Sequence, residues 1–305
     1  MCDVLCALHQ SFKMNNPKLH TKGKYWSSED GFRYCETIAR NHYENFPVAS
    51  RFVSKEIRKY VWTIYAFARI ADDYADEPGF TLAERMDNLN QWEQYLDECY
   101  NGNPTHRVFA ALAETVERFQ IPLELFQNLL TAFRADVTAK RYETYEDVLA
   151  YCHNSAHPIG RLIMLLLNYR SETMMQLSDS ICTALQLTNF WQDVSVDVQK
   201  DRIYLPLEEL DEFGYSEQDL FNKKVNNNFC NLMAFQVRRT ADLFIEGKPL
   251  LTMVGKDLSM ELKLTWNGGT RILQKIHQQN YDVLTKRPAL SKWDKLGLLF
   301  RSFLS

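Results

Sequence analysis

The stretch from Thr188 to Pro206 constrains this chain more than any other. Within it, Asn189, Asp193 and Asp197 recur every four residues. On an α-helix that spacing stacks the three oxygen-bearing side chains along one stripe, with about 40° of drift per step. Phe190, Trp191, Val194 and Val196 spread over much of the remaining circumference, which predicts a largely buried helix. Buried carboxylates are costly unless something positive compensates them. The stripe is therefore either salt-bridged to basic residues or coordinating a hard cation. Asp and Asn oxygens suit Mg²⁺, which takes one or two carboxylates together with phosphate oxygens and waters.

The rest of the chain reads as helices. Its 305 residues fit one large domain or two small ones, and Gly and Pro are scarce at 11 and 9. No stretch alternates apolar and polar residues as a strand would, whereas helical periodicity is frequent. Residues 1–24 read as a flexible leader and 25–305 as one all-α domain with a central cavity between facing helices. Helices are expected at Arg33 to His42, Ile57 to Ala75, Thr81 to Tyr100, Thr105 to Phe119 and Pro122 to Thr138. A start at Thr144 carries Tyr151, and Pro158 bends or restarts that helix. Ser171 to Lys200, Leu232 to Glu246, Met260 to Thr285 and a final amphipathic piece after Ser291 complete the set.

Charge and cysteine usage narrow the partners. A net charge of −4 without basic clusters argues against nucleic acid. The seven scattered cysteines form no Cys-x-x-Cys, which reads as reduced thiols in a cytoplasmic protein. The amino-terminal residues lack a signal peptide's apolar core. The longest apolar run, Leu162 to Leu167, is far short of the roughly 20 residues that span a bilayer. Peripheral contact with a membrane stays open.

A second acidic cluster changes the weight of the first. Asp72 and Asp76 repeat the four-residue spacing, at the end of an apolar helical stretch, with Asp73 about 100° away. Carboxylates at a helix C-terminus face the negative end of the dipole and want a compensating cation. Two such clusters favour a divalent-metal site, with Asp72 and Asp76 expected to face Asp193 and Asp197. Arg69, Lys200 and Arg202 stand near enough in sequence to complete an anion receptor for phosphoryl or diphosphoryl groups.

Tyr65 to Asp76 and Asn189 to Asp197 resemble the two aspartate-rich motifs of squalene and phytoene synthases, which have the all-α isoprenoid synthase fold. The resemblance runs from about Tyr34 to the C-terminus. Three stretches, His42 to Ser50, Tyr151 to Arg161 and Asn189 to Pro206, are most similar to the bacterial hydroxysqualene synthases of the hopanoid pathway. The resemblance implies conversion of presqualene diphosphate and water to hydroxysqualene and diphosphate. It also implies Mg²⁺ held by Asp72, Asp76, Asn189, Asp193 and Asp197. By the same resemblance Tyr151, Tyr65 and Arg69 are catalytic. His42, Asn45, Phe46, Lys200, Arg202, Arg287 and Lys295 bind substrate. Association with a membrane surface and with other squalene-pathway enzymes follows from the same source.

There are departures. Squalene synthases have a Val-Ala-Gly turn where this chain has Ser155, Ala156 and His157, and commonly an Arg where it has Gln192. One cation fewer disfavours holding two diphosphates. Phe46, Tyr65, Phe67, Phe190 and Trp191 are candidate walls for a carbocation, and Tyr151 and His157 candidate holders of water. Two other readings compete: a head-to-head prenyltransferase joining two prenyl diphosphates, and a non-catalytic family member acting as an assembly partner. Retention of both aspartate motifs argues against the last.

Overall fold

The structure is a computed structural model that describes residues 26–41 and 54–304. The expected leader, and with it His42, Asn45 and Phe46, lies outside those residues. In chain order the helices are α1 (Ser28–Asn41), α2 (Lys55–Asp76), α3 (Leu82–Tyr100), α4 (Arg107–Phe119), α5 (Leu123–Thr138), α6 (Tyr145–Ser155) and α7 (His157–Leu166). Then follow α8 (Glu172–Asp197), α9 (Leu207–Glu212), α10 (Glu217–Phe221), α11 (Asn227–Gly247), α12 (Leu250–Met253), α13 (Lys256–Gln278) and α14 (Lys292–Leu304). There is no strand among the described residues, as the missing alternation predicts. No helix among them is long and apolar enough to cross a membrane. Cys35, Cys99, Cys152, Cys182 and Cys230 form no disulfide among the described residues.

The helices gather into two compact units. One holds residues up to 138 together with 158–170; the other holds 139–157 and residues from 171 onward. In the first, α2 supplies the core: Tyr60, Ile64, Phe67 and Ile70 are buried along it. The Phe67 ring meets Trp92 of α3, Phe109 of α4 and Phe126 of α5 at centroid distances of 6.0, 5.9 and 4.9 Å. Aromatic side chains bury some 150–250 Å² each, so this cluster is the main apolar anchor of the unit. The expected capping box opens α3: Thr81 Oγ1 accepts from the Glu84 N–H, and Glu84 Oε2 accepts from the Thr81 N–H at 2.8 Å.

In the second unit α8 is the central element, buried over most of its 26 residues. It packs on α11, where Trp191 Nε1–H donates to Thr240 Oγ1 at 2.8 Å. Close approach at the end of α11 requires Gly247, since a Cβ there would stand 2.4 Å from Ile181 Cγ1 and 2.9 Å from the Leu177 carbonyl oxygen. Thr144 and Asp147 form a second capping box that starts α6.

Two helix ends differ from expectation, each for a local reason. The α8 helix ends at Asp197, and a 3₁₀ turn over Val198–Lys200 tightens the chain before Asp201 takes a left-handed φ of 59°. Val196, expected inside, is exposed there. The α13 helix stops at Gln278 because Asn280 and Tyr281 are both left-handed, at φ 54° and 63°, which unwinds the helix seven residues before Thr285. The segment 279–291 is left irregular, and it carries Arg287.

Candidate active site

The first acidic motif closes α2. Arg69, almost fully buried, lies 2.5 Å from Asp73 Oδ1 and 3.4 Å from Asp72 Oδ2. Burial pushes the Asp72 carboxyl well above the usual range; Arg69 opposes that, and Asp73, Asp76 and Asp136 add to it. Burial likewise lifts Asp73 to about 6, against Arg69, with Glu77 adding to the rise. Burial holds the Tyr65 phenol neutral, at about 12. The compensating cation at this helix end is Arg85. Its Nη2–H donates to the Glu77 carbonyl at 2.9 Å, and its Nη1–H to that of Ala75. Neither Arg85 nor Asp136 stands out in the sequence, because both come from other helices, α3 and α5.

The second motif occupies the last turns of α8. Asn189, Asp193 and Asp197 are all buried. Arg287 grips Asp193 with two contacts, Nε–H to Oδ1 and Nη2–H to Oδ2 at 3.1 Å. Asp197 is 2% exposed, and neither of its carboxylate oxygens has a hydrogen-bond partner. Burial, then the neighbouring Asp193, raises it to about 7, against Lys200, Arg202 and Arg287. A buried carboxylate with both oxygens unsatisfied is suited to a cation. The donors are oxygens throughout, which fits Mg²⁺. Among the described residues no three His, Cys, Asp or Glu side chains are gathered closely enough to hold a metal by themselves.

A recess opens beside Asp197, lined by Phe190, Val194, Arg202, Tyr204 and Leu220 among others. Phe190 and Tyr204, both in its lining, stack directly on each other. The Tyr151 ring, buried on α6, stands 5.9 Å from Phe190 and 6.0 Å from Tyr204. Backbone hydrogen bonds from Ile203 N–H to the Lys140 carbonyl and from Leu207 N–H to that of Tyr142 bring Tyr204 beside Tyr142. The two rings are 5.6 Å apart.

The squalene/phytoene synthase family profile matches residues 39–294. The chain belongs to the squalene/phytoene synthase family. At 36% identity it is similar to the crystal structure of squalene synthase HpnC from Alicyclobacillus acidocaldarius, with TM-score 0.79 over 83% of this chain and 95% of that one. A dehydrosqualene synthase solved with a ligand is 26% identical, with TM-score 0.80 over 91% and 96% of the two chains. In sequence the chain is 29% identical to 15-cis-phytoene synthase of Synechococcus elongatus, over 88% of this chain and 91% of that one. These neighbours carry the all-α isoprenoid synthase fold that the aspartate motifs lead one to expect.

In this family member several expected residues fall elsewhere than the motif reading suggests. Lys200 is exposed on the 3₁₀ turn, whereas Arg202 is half-buried in the recess with Asp197. Lys295 is exposed on α14; its neighbour Asp294 is the engaged residue, held by Lys275 and Arg271 of α13. Phe67 and Trp191 are core residues of their own units, not cavity walls. His157 is turned to Thr183, with Nε2 at 2.8 Å from Oγ1 and Nδ1 at 3.7 Å from Asp179 Oδ2. Thr183 precedes Asp193 by ten residues, about 15 Å of helix rise, so His157 does not share Tyr151's place beside the motif. Tyr142 and Tyr204 were missed by the periodic signal, since both lie in irregular segments.

Proposed function

We propose that this chain ionises presqualene diphosphate and captures the carbocation with water, giving hydroxysqualene and diphosphate. The observation that carries the reading is at Gln192. Its amide is buried and donates to the Pro288 carbonyl at 2.6 Å, so the position next to Asp193 offers a neutral group instead of a cation. The similarity to squalene synthase HpnC, the highest identity among the neighbours above, supports it. In the reaction the substrate C–O bond breaks with its electron pair on the leaving oxygen. Water forms the new C–O bond and gives up one proton.

The chain's own residues divide that work. At the second motif Asn189, Asp193 and Asp197 would hold Mg²⁺, and at the first Asp72 and Asp76 would do so. When bound, the ion supplies a Lewis acid for the departing diphosphate. Arg202 and Arg287 bring positive charge to the second motif, and Arg69 keeps the first from being a bare acidic cluster. The Phe190 and Tyr204 rings, packed on each other beside Asp197, keep bulk water from that wall of the recess. Tyr151, nested against both, orients the attacking water. The product is a long hydrocarbon alcohol, whose release into water is unfavourable by about 0.8 kcal/mol per exposed CH₂. Transfer to a membrane at the exposed Trp293 and Leu296 of α14 would avoid that cost.

A second reading, head-to-head joining of two prenyl diphosphates, is favoured by the similarity to phytoene synthase. Incubation with presqualene diphosphate as sole substrate in H₂¹⁸O separates the two. Labelled alcohol without reduced nicotinamide is the expected product. No labelled alcohol, together with efficient coupling of two farnesyl diphosphates, would establish the transferase instead.

A further inference from the structure

Arg287 is held in an unusual way. The carbonyls on either side of it, those of Lys286 and Pro288, each accept a hydrogen bond from a glutamine amide. Gln279 Nε2–H donates to Lys286 O at 2.9 Å and Gln192 Nε2–H to Pro288 O at 2.6 Å. Proline at 288 fixes its own φ and biases Arg287 towards an extended backbone. The backbone of an otherwise irregular segment is thereby pinned at the residue that reaches Asp193. The Arg287 side chain is 39% exposed, and it meets Asp193 through its guanidinium tip.

We propose that Gln192 and Gln279 are positioning residues for Arg287, and that Arg287 is an exchangeable counter-ion. This rests on the diphosphate reading above. Without ligand the guanidinium neutralises Asp193. A metal ion taking Asp193 displaces it, and the freed guanidinium, still rooted at the same point, meets the diphosphate that accompanies the metal. Adjacency enforces the geometry: Gln192 and Asp193 are consecutive on α8, Arg287 and Pro288 are consecutive on the facing segment, and each pair makes one rung. A planar guanidinium suits both tasks, because its fork matches carboxylate and phosphate oxygens alike.

Calorimetric titration of the full chain with Mn²⁺ alone, and then with inorganic diphosphate at saturating Mn²⁺, tests this. Arg287→Met should bind Mn²⁺ about five- to tenfold more tightly than wild type, since the competing cation is gone, and bind diphosphate about tenfold more weakly. Gln192→Met should weaken diphosphate binding about five- to tenfold while Mn²⁺ binding stays equal or tightens. The double variant should be no weaker than Arg287→Met. A merely structural role would weaken both ligands together. If Gln192→Met fails to fold by thermal melting, Gln279→Met probes the other carbonyl with the same expectation. Mn²⁺ affinity unchanged in Arg287→Met, or diphosphate affinity unchanged in a folded Gln variant, overturns the proposal alone. A wild-type chain that binds no diphosphate with Mn²⁺ overturns the functional reading as well.

Discussion

Phe190 and Tyr204 lie face to face, with ring centroids 3.8 Å apart and planes 7° from parallel. One ring comes from the motif helix and the other from the irregular segment that follows it. Both line the recess beside Asp197. Replacing Tyr204 by Leu removes the stack but keeps most of the buried volume. We expect a loss of about 1–2 kcal/mol in chemical denaturation, together with a fall in turnover larger than the fall in diphosphate binding. Equal losses in both would mean the ring only packs.

Asp193 is the residue whose removal should separate activity from stability. Its partner Arg287 is partly exposed, so the charge left behind by Asp193→Ala can be solvated. Turnover should be abolished while the unfolding free energy moves by less than about 1 kcal/mol. A large stability loss in denaturant titration would instead mark the pair as a structural bridge.

His106 should set a pH dependence remote from the acidic motifs. It is the N-cap of α4, its Nδ1 accepting from the Val108 N–H at 3.2 Å, and its ring stacks on Tyr95 and meets Trp92 edge-on. Burial, with Arg107 adding, lowers it from 6.5 to about 4. Between those values the unfolded chain binds a proton that the folded chain refuses, so stability is retained above pH 6.5 and lost as pH falls towards 4. From neutral pH to about 4.5 the loss from this group should be roughly 2 kcal/mol. His106→Asn keeps a capping side chain without the titration. Its denaturation midpoint should change less over that range than that of the wild type; parallel curves would count against the assignment.

The membrane contact should depend on Trp293 and Leu296, which are 83% and 48% exposed on α14. Leu298 on the same helix is buried, and Ser302 accepts a hydrogen bond from Asn267. Trp293→Glu with Leu296→Glu should therefore reduce flotation with liposomes without altering helix content by circular dichroism. Unchanged flotation of the double variant would refute the contact.

The sequence by itself determined the helical class, most helix positions and the two acidic motifs. These are local properties: period, caps and i,i+4 spacing act within one element, as at Thr81, Thr144 and the stripe Asn189, Asp193 and Asp197. It did not reveal what each motif residue touches. Arg287 reaches Asp193 across 94 positions, and Gln192 reaches Pro288 across 96. Tyr204 meets Phe190 only because backbone bonds to 140 and 142 lay its segment there. Arg85 caps the first motif's helix from another helix. Burial also had to be seen in three dimensions. It raises Asp72 and Asp197 and lowers His106, and desolvation depends on every atom that packs around a group, most of them distant along the chain.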